Sequence, residues 1–159
     1  MRQFVGVADM HVSDKQGDTI VTYSLGACIG LAIYDPQIKA GGILHFMLPD
    51  SSIDREKALI NPYMFADSGI PQFLRHAFQL GIKKERMRVF VAGGAQIINQ
   101  NDSFNIGNQN YIALKKILFK NDITIEKQSI GGNVNRTINL ELASGGILLK
   151  YSDGQEEKI

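Results

Sequence analysis

Cys28 is the only cysteine of the chain, and it lies in Thr22-Tyr-Ser-Leu-Gly-Ala-Cys-Ile-Gly30, where a turn of small residues carries it from one apolar run into the next. His45 stands further on in Ile43-Leu-His-Phe-Met-Leu-Pro-Asp50, inside another apolar run. A thiol and an imidazole suffice for nucleophilic cysteine chemistry: the thiolate attacks an acyl carbon, and the imidazole makes the thiolate and shuttles the proton. Gly26 and Ala27 before the thiol, and Gly30 after it, remove side-chain bulk and let a backbone or carboxamide come close. The N–H groups of that turn could face a developing oxyanion. On an alternating strand His45 shares a face with Ile43 and Met47, so a base there is water-poor, which favours a close thiolate–imidazolium pair. A third group is expected to orient the ring. Thr22 and Ser24 both carry a hydroxyl near Cys28, and the pattern does not choose between them.

Each of these residues also has a plainer role. A free cysteine often packs as a small hydrophobe, a lone strand histidine often bonds to backbone, Thr22 suits a strand and Ser24 suits a turn. His11 lies in a polar segment and His76 beside Arg75 in a helical stretch, and both read as surface or packing residues. One cysteine and three scattered histidines give no metal-ligand spacing. Gly93-Gly94-Ala95 lacks the Lys-Ser/Thr of a phosphate loop and reads as a turn that lets backbone approach something closely.

The elements that must position these residues follow from composition and periodicity. The 159 residues suit one domain with a real core. Hydrophobic content of 44% and charged content of 21% are ordinary for a soluble globular protein. Lys and Arg total 17 against 16 Asp and Glu, so no basic field recruits nucleic acid. A single cysteine cannot form an internal disulfide, no stretch approaches the roughly 20 apolar residues of a membrane span, and no signal region opens the chain. These features lead to the expectation of a cytoplasmic protein without membrane insertion.

Strands are expected at Phe4–Val12 (short and mixed), Thr19–Ser24, Cys28–Tyr34, Gly41–Leu48, Arg88–Ala92, Ile123–Ile130, Arg136–Leu142 and Gly146–Tyr151. Several are apolar on both faces, which implies burial between two layers. Thr137–Leu142 alternates and should keep one wet face, and Ser144-Gly145-Gly146 reads as a hairpin connection. Asn61-Pro62 looks like a helix start. Ile70, Phe73, Leu74, Ala77 and Leu80 form a helical stripe, with Pro71 either kinking that helix or opening a second one. A further helix is expected over Asn108–Phe119, with Ile112, Lys116 and Phe119 spaced in turns. The fold class is α+β, a layered sandwich. The polar tail 152–159 is expected to fray.

With these residues in view, the chain resembles the CheD family of chemoreceptor glutamine deamidases. The resemblance runs from about Val5 to Lys150. Its blocks, in order, are Thr22–Cys28, His45-Phe-Met-Leu-Pro49, Gly93-Gly94-Ala95, Ile106-Gly-Asn-Gln-Asn110 and Gly131-Gly-Asn-Val-Asn-Arg136. It implies a single-domain three-layer α/β/β sandwich over residues 1–151, similar to the catalytic domains of deamidating bacterial toxins. It implies a Cys–His–Thr triad carried onto Cys28, His45 and Thr22, and so favours Thr22 over Ser24. It implies conversion of receptor glutamines to glutamate, sometimes with hydrolysis of receptor methyl esters, and no cofactor. The implied partners are chemoreceptor cytoplasmic helices and a CheC-type phosphatase. The chain departs from the family pattern at Ala27, where serine is usual, at Asn135, where glycine is common, and at Gln109, where a charge is frequent. Two rivals stand beside this reading. One is a non-enzymatic docking module that regulates a CheC-type phosphatase or a chemoreceptor, and the other is a thiol hydrolase acting on esters or free glutamine.

Overall fold

A computed structural model of the chain describes residues 1–96 and 105–159. Two five-stranded sheets and three α-helices make up the described fold. The first sheet has the order β1-β3-β8-β9-β10, from β1 (Arg2–Val5), β3 (Thr19–Leu25), β8 (Arg136–Glu141), β9 (Ile147–Tyr151) and β10 (Glu156–Lys158). The second has the order β2-β5-β4-β6-β7, from β2 (Asp9–Ser13), β5 (Ala40–Phe46), β4 (Ile29–Asp35), β6 (Arg88–Gly93) and β7 (Lys127–Ile130). The helices are α1 (Arg55–Ile60), α2 (Ala66–Leu80) and α3 (Ile106–Lys120).

Every residue of β4 and β5 is buried, because these strands form the middle layer. One face packs Ile29, Leu31, Leu44 and Phe46 against Ile70, Phe73 and Leu74 of α2 and Leu114 and Leu118 of α3. The opposite face packs Ala32, Tyr34, Ile43 and Ala92 against Ile20, Leu25, Ile138 and Leu140 of the other sheet. This is the expected α/β/β layering, and the near-continuous apolar runs are its sequence trace. β8 alternates buried and half-buried residues, as its alternating sequence requires.

Several local expectations are corrected. Phe4–Val12 is two strands, not one, and they join different sheets: β1 pairs in parallel with β3, and β2 pairs antiparallel with β5. Asn61 caps only a short 3-10 turn over Pro62–Met64. α2 begins after it and runs through Pro71 without a second start. On α3 the expected stripe is the outer face, since Ile112 is 41% and Phe119 83% exposed. The buried stripe is Gly107, Asn110, Leu114 and Leu118, and the polar Asn110 disguises it in the sequence. Strand β7 begins only at Lys127. The tail that was expected to fray instead turns back after Tyr151, and Glu156–Lys158 pairs antiparallel with β9 as β10. The Ile159 N–H also bonds the Ile147 carbonyl at 2.8 Å.

Candidate active site

Thr22 is carried on β3, in one sheet, and His45 on β5, in the other. Both side chains are buried in the layer between the sheets. Thr22 Oγ1 lies 2.7 Å from His45 Nδ1 and donates its proton to the Val5 carbonyl at 2.8 Å. A hydroxyl has one proton to give, so towards the ring Thr22 is the acceptor. The network thus assigns the proton to Nδ1 and leaves Nε2 a bare lone pair. Nε2 is buried and has no hydrogen-bond partner among the described residues. Ser24, the other candidate, is exposed. It sits with φ 59 inside a register shift of β3 between Thr22 and Leu25. Pairing resumes after this irregularity at Leu25, opposite Arg136, and the turn that carries Cys28 follows.

Cys28 is half-buried and packs against the inter-sheet cluster. Two residues on, Gly30 lies directly opposite His45 in the β4–β5 ladder. Thiol and imidazole therefore come to the same end of the same layer, with no hydrogen bond between them in this form.

The turn itself is held rigidly. The Gly26 carbonyl accepts from the Ala95 N–H at 2.9 Å and the Cys28 carbonyl from the Gly94 N–H at 3.0 Å. The Ala27 carbonyl accepts from Asn110 Nδ2 at 3.0 Å. In a planar trans peptide the N–H points away from the carbonyl of the preceding residue. Fixing the Gly26 and Ala27 carbonyls therefore aims the N–H groups of Ala27 and Cys28 to the opposite side. Gly93 makes this possible: its φ is 119, and a Cβ there would run into the Cys28 carbonyl. The close approach expected of Gly93-Gly94-Ala95 is thus the approach to the cysteine turn. Asn135 needs no left-handed backbone, because the positive-φ positions of its loop are Gly131 and Gly132.

Burial controls the titration of both reactive groups. It pushes the Cys28 thiol up to about 11, against a small opposing effect of its own backbone N–H. It pushes His45 down to about 4, with the Asp9 charge pulling weakly the other way. Burial thus favours the neutral form of each group and works against the thiolate–imidazolium pair expected from the sequence. Low dielectric strengthens an ion pair, but here the cost of desolvating two charges wins.

Among the described residues no three His, Cys, Asp or Glu side chains group to hold a metal ion. His11 is half-buried and His76 exposed, and neither joins the site. Sequence reasoning gave no role to Asn110, although its block was noted. The available signal was an amide at i relative to Leu114 and Leu118 at i+4 and i+8, a polar residue in a core stripe.

Taken together, a thiol on a hydrogen-bonded turn and an imidazole in contact with a threonine hydroxyl lie between the two sheets of an α/β/β sandwich. A sequence model of the family described as CheD chemotactic sensory transduction matches residues 47–151. The chain is 47% identical over 150 residues to a protein of Syntrophus aciditrophicus named "Probable chemoreceptor glutamine deamidase CheD 1", covering 94% of each chain. It is 44% identical over 155 residues to a similarly named protein of Solibacter usitatus, covering 98% of this chain and 92% of the other. A third relative, from Anaeromyxobacter dehalogenans, is 37% identical over 149 residues. The chain belongs to the CheD family. No helix among the described residues is long and apolar enough to cross a membrane.

Proposed function

We propose that this chain deamidates glutamine side chains of chemoreceptors, with Cys28 as nucleophile, His45 as base and acid, and Thr22 as the group that orients the ring. The observation that carries the reading is the Thr22–His45 contact of 2.7 Å, which leaves a bare, buried Nε2 at the end of the layer where Cys28 packs. The names of the relatives supply the substrate class.

In the first half-reaction Nε2 takes the thiol proton as Sγ bonds to the carboxamide carbon. The C–N bond then breaks, the imidazolium gives its proton to the nitrogen, and ammonia leaves a thioester. Water, deprotonated by His45, attacks the thioester, and the C–S bond breaks to return the thiol and release glutamate. The N–H groups of Ala27 and Cys28 receive the oxyanion in both halves, and Gly26 keeps the approach open. A glutamyl methyl ester would reach the same thioester with methanol as leaving group. The reaction adds a negative charge to a receptor helix, and a CheC-type phosphatase is a proposed further partner of the same protein.

The test is mass spectrometry of a chemoreceptor cytoplasmic fragment after incubation with the wild-type protein or Cys28→Ala. Amide-to-acid conversion at specific glutamines, with ammonia release, is expected from the wild type alone. Conversion that survives Cys28→Ala would remove the nucleophile assignment. Conversion of free glutamine at a comparable rate would remove the receptor from the reading.

A further inference from the structure

We propose that Asn110 is a positioning residue for this site: a single buried amide that sets the direction of the Cys28 N–H and couples the cysteine turn to the strand that carries His45. The inference rests on the thiol-hydrolase reading above. Asn110 is fully buried, on the inward stripe of α3. Its Nδ2 donates to the Ala27 carbonyl at 3.0 Å and to the Met47 carbonyl at 2.8 Å. Ala27 immediately precedes the thiol, and Met47 lies just beyond His45 at the end of β5. Two carbonyl acceptors accept only an NH₂ group, so the orientation of the amide is unambiguous.

The geometry has a cost that shows its purpose. With Nδ2 on both carbonyls, Oδ1 is buried without a partner among the described residues. An unmade hydrogen bond of this kind is destabilising. An apolar residue would continue the Leu114–Leu118 stripe without that cost, but it would leave the Ala27 carbonyl free to swing. Because the peptide is planar, the Cys28 N–H would swing with it. That N–H is the oxyanion donor of the proposed mechanism. A donor aimed at where charge develops acts mainly on the chemical step, so its loss should appear in kcat rather than KM.

The experiment uses Asn110→Ala and Asn110→Ser in the full chain, with turnover of the receptor fragment and iodoacetamide labelling of Cys28 followed across pH. Released from its clamp, the turn admits water, and the alkylation midpoint moves down towards that of an ordinary cysteine. Turnover is expected to move the other way, with kcat falling roughly tenfold to a hundredfold and KM little changed. Faster labelling with slower turnover, in protein that still melts cooperatively above the assay temperature, is the signature of a positioning residue. Wild-type labelling and turnover in both variants would overturn the proposal, as would a loss of turnover that only follows the unfolded fraction. If neither variant folds, hydrogen exchange of the wild-type Asn110 side-chain NH₂ protons decides. Slow exchange that quickens when Cys28 is alkylated supports the clamp, and exchange as fast as that of an exposed asparagine rejects it. The labelling arm needs no substrate, so a wild type that deamidates nothing would end the functional reading while leaving this one open to its own result.

Discussion

The two ends of β4 lie only about 20 Å apart, yet they treat buried polar groups in opposite ways. At the far end Asp35 is fully buried and saturated. It accepts from Arg86 Nε at 3.0 Å and Nη2 at 2.7 Å, and from the N–H groups of Lys83 and Gln37 at 3.1 and 3.0 Å. Next to it the Tyr34 hydroxyl donates to the Leu142 carbonyl. At the near end His45 Nε2 and Asn110 Oδ1 are buried with no partner among the described residues. Arg136, 6% exposed, reaches Ser129 Oγ, the Gly93 carbonyl and the Tyr151 ring, with no carboxylate in ion-pair range among the described residues. Buried polar atoms are normally satisfied, so exceptions gathered in one place call for a reason. Here the far end fastens the sandwich, and on the proposed mechanism the near end keeps its lone pair and its thiol available for chemistry.

The comparison breaks most sharply at His45. His45→Gln removes the proposed base and keeps an amide of similar reach. Turnover is expected to fall about 10²- to 10⁴-fold, read as ammonia release from the receptor fragment. The fold should survive at neutral pH. Retained turnover would mean that the lone pair of Nε2 is not the base.

The two ends should also separate in a pH series of denaturant unfolding. Burial lowers His45 from 6.5 to about 4, so between these values the unfolded chain binds a proton that the folded chain refuses. That contribution, about 3 kcal/mol, is complete above the ordinary histidine value and is lost as the pH falls to about 4. At Asp35 desolvation raises the carboxyl, but the hydrogen bonds from Arg86, Lys83 and Gln37 and the Arg86 charge outweigh it and hold the group below its ordinary value. Its contribution is complete above the carboxylate range and is lost as the pH falls through the folded-state value. His45→Gln should therefore flatten the upper part of the acid limb, and Asp35→Asn the lower part. At neutral pH Asp35→Asn is expected to lower the melting temperature by roughly 5–10 °C while the folded fraction keeps its turnover. A drop in turnover per folded molecule would show that the far end is not merely structural.

Much of this division was legible in the sequence, and the gaps have physical causes. Runs of apolar residues revealed β4 and β5 because both of their faces are covered, and periodicity gave the inward face of α2. Cys28, His45 and the glycine turns were visible because rare residue types stand at element ends. Distance in the chain hid the rest. Asp35 meets Arg86 across 51 positions and Asn110 meets Ala27 across 83, and no local pattern encodes either contact. Asn110 also broke the apolar period of α3 and turned the expected stripe outward. The tail carries polar residues because β10 lies at the edge of its sheet, where pairing comes from backbone and not from burial.

The smallest expected effect is the most discriminating for the near end. Thr22→Val keeps the shape and the β-branch but removes the hydroxyl shared by the Val5 carbonyl and His45 Nδ1. The ring loses the contact that fixes its tautomer and its tilt, yet packing between the sheets still confines it. One hydrogen bond of this kind is worth about 1 kcal/mol, or roughly a fivefold to tenfold fall in kcat. Thr22→Ser restores the oxygen without the methyl and should recover most of that loss. Recovery by serine with none by valine would place orientation of the imidazole in the hydroxyl. Equal turnover in both variants would place it in the packing of the two sheets, and the working set at the near end would shrink to Cys28, His45 and the backbone that presents them.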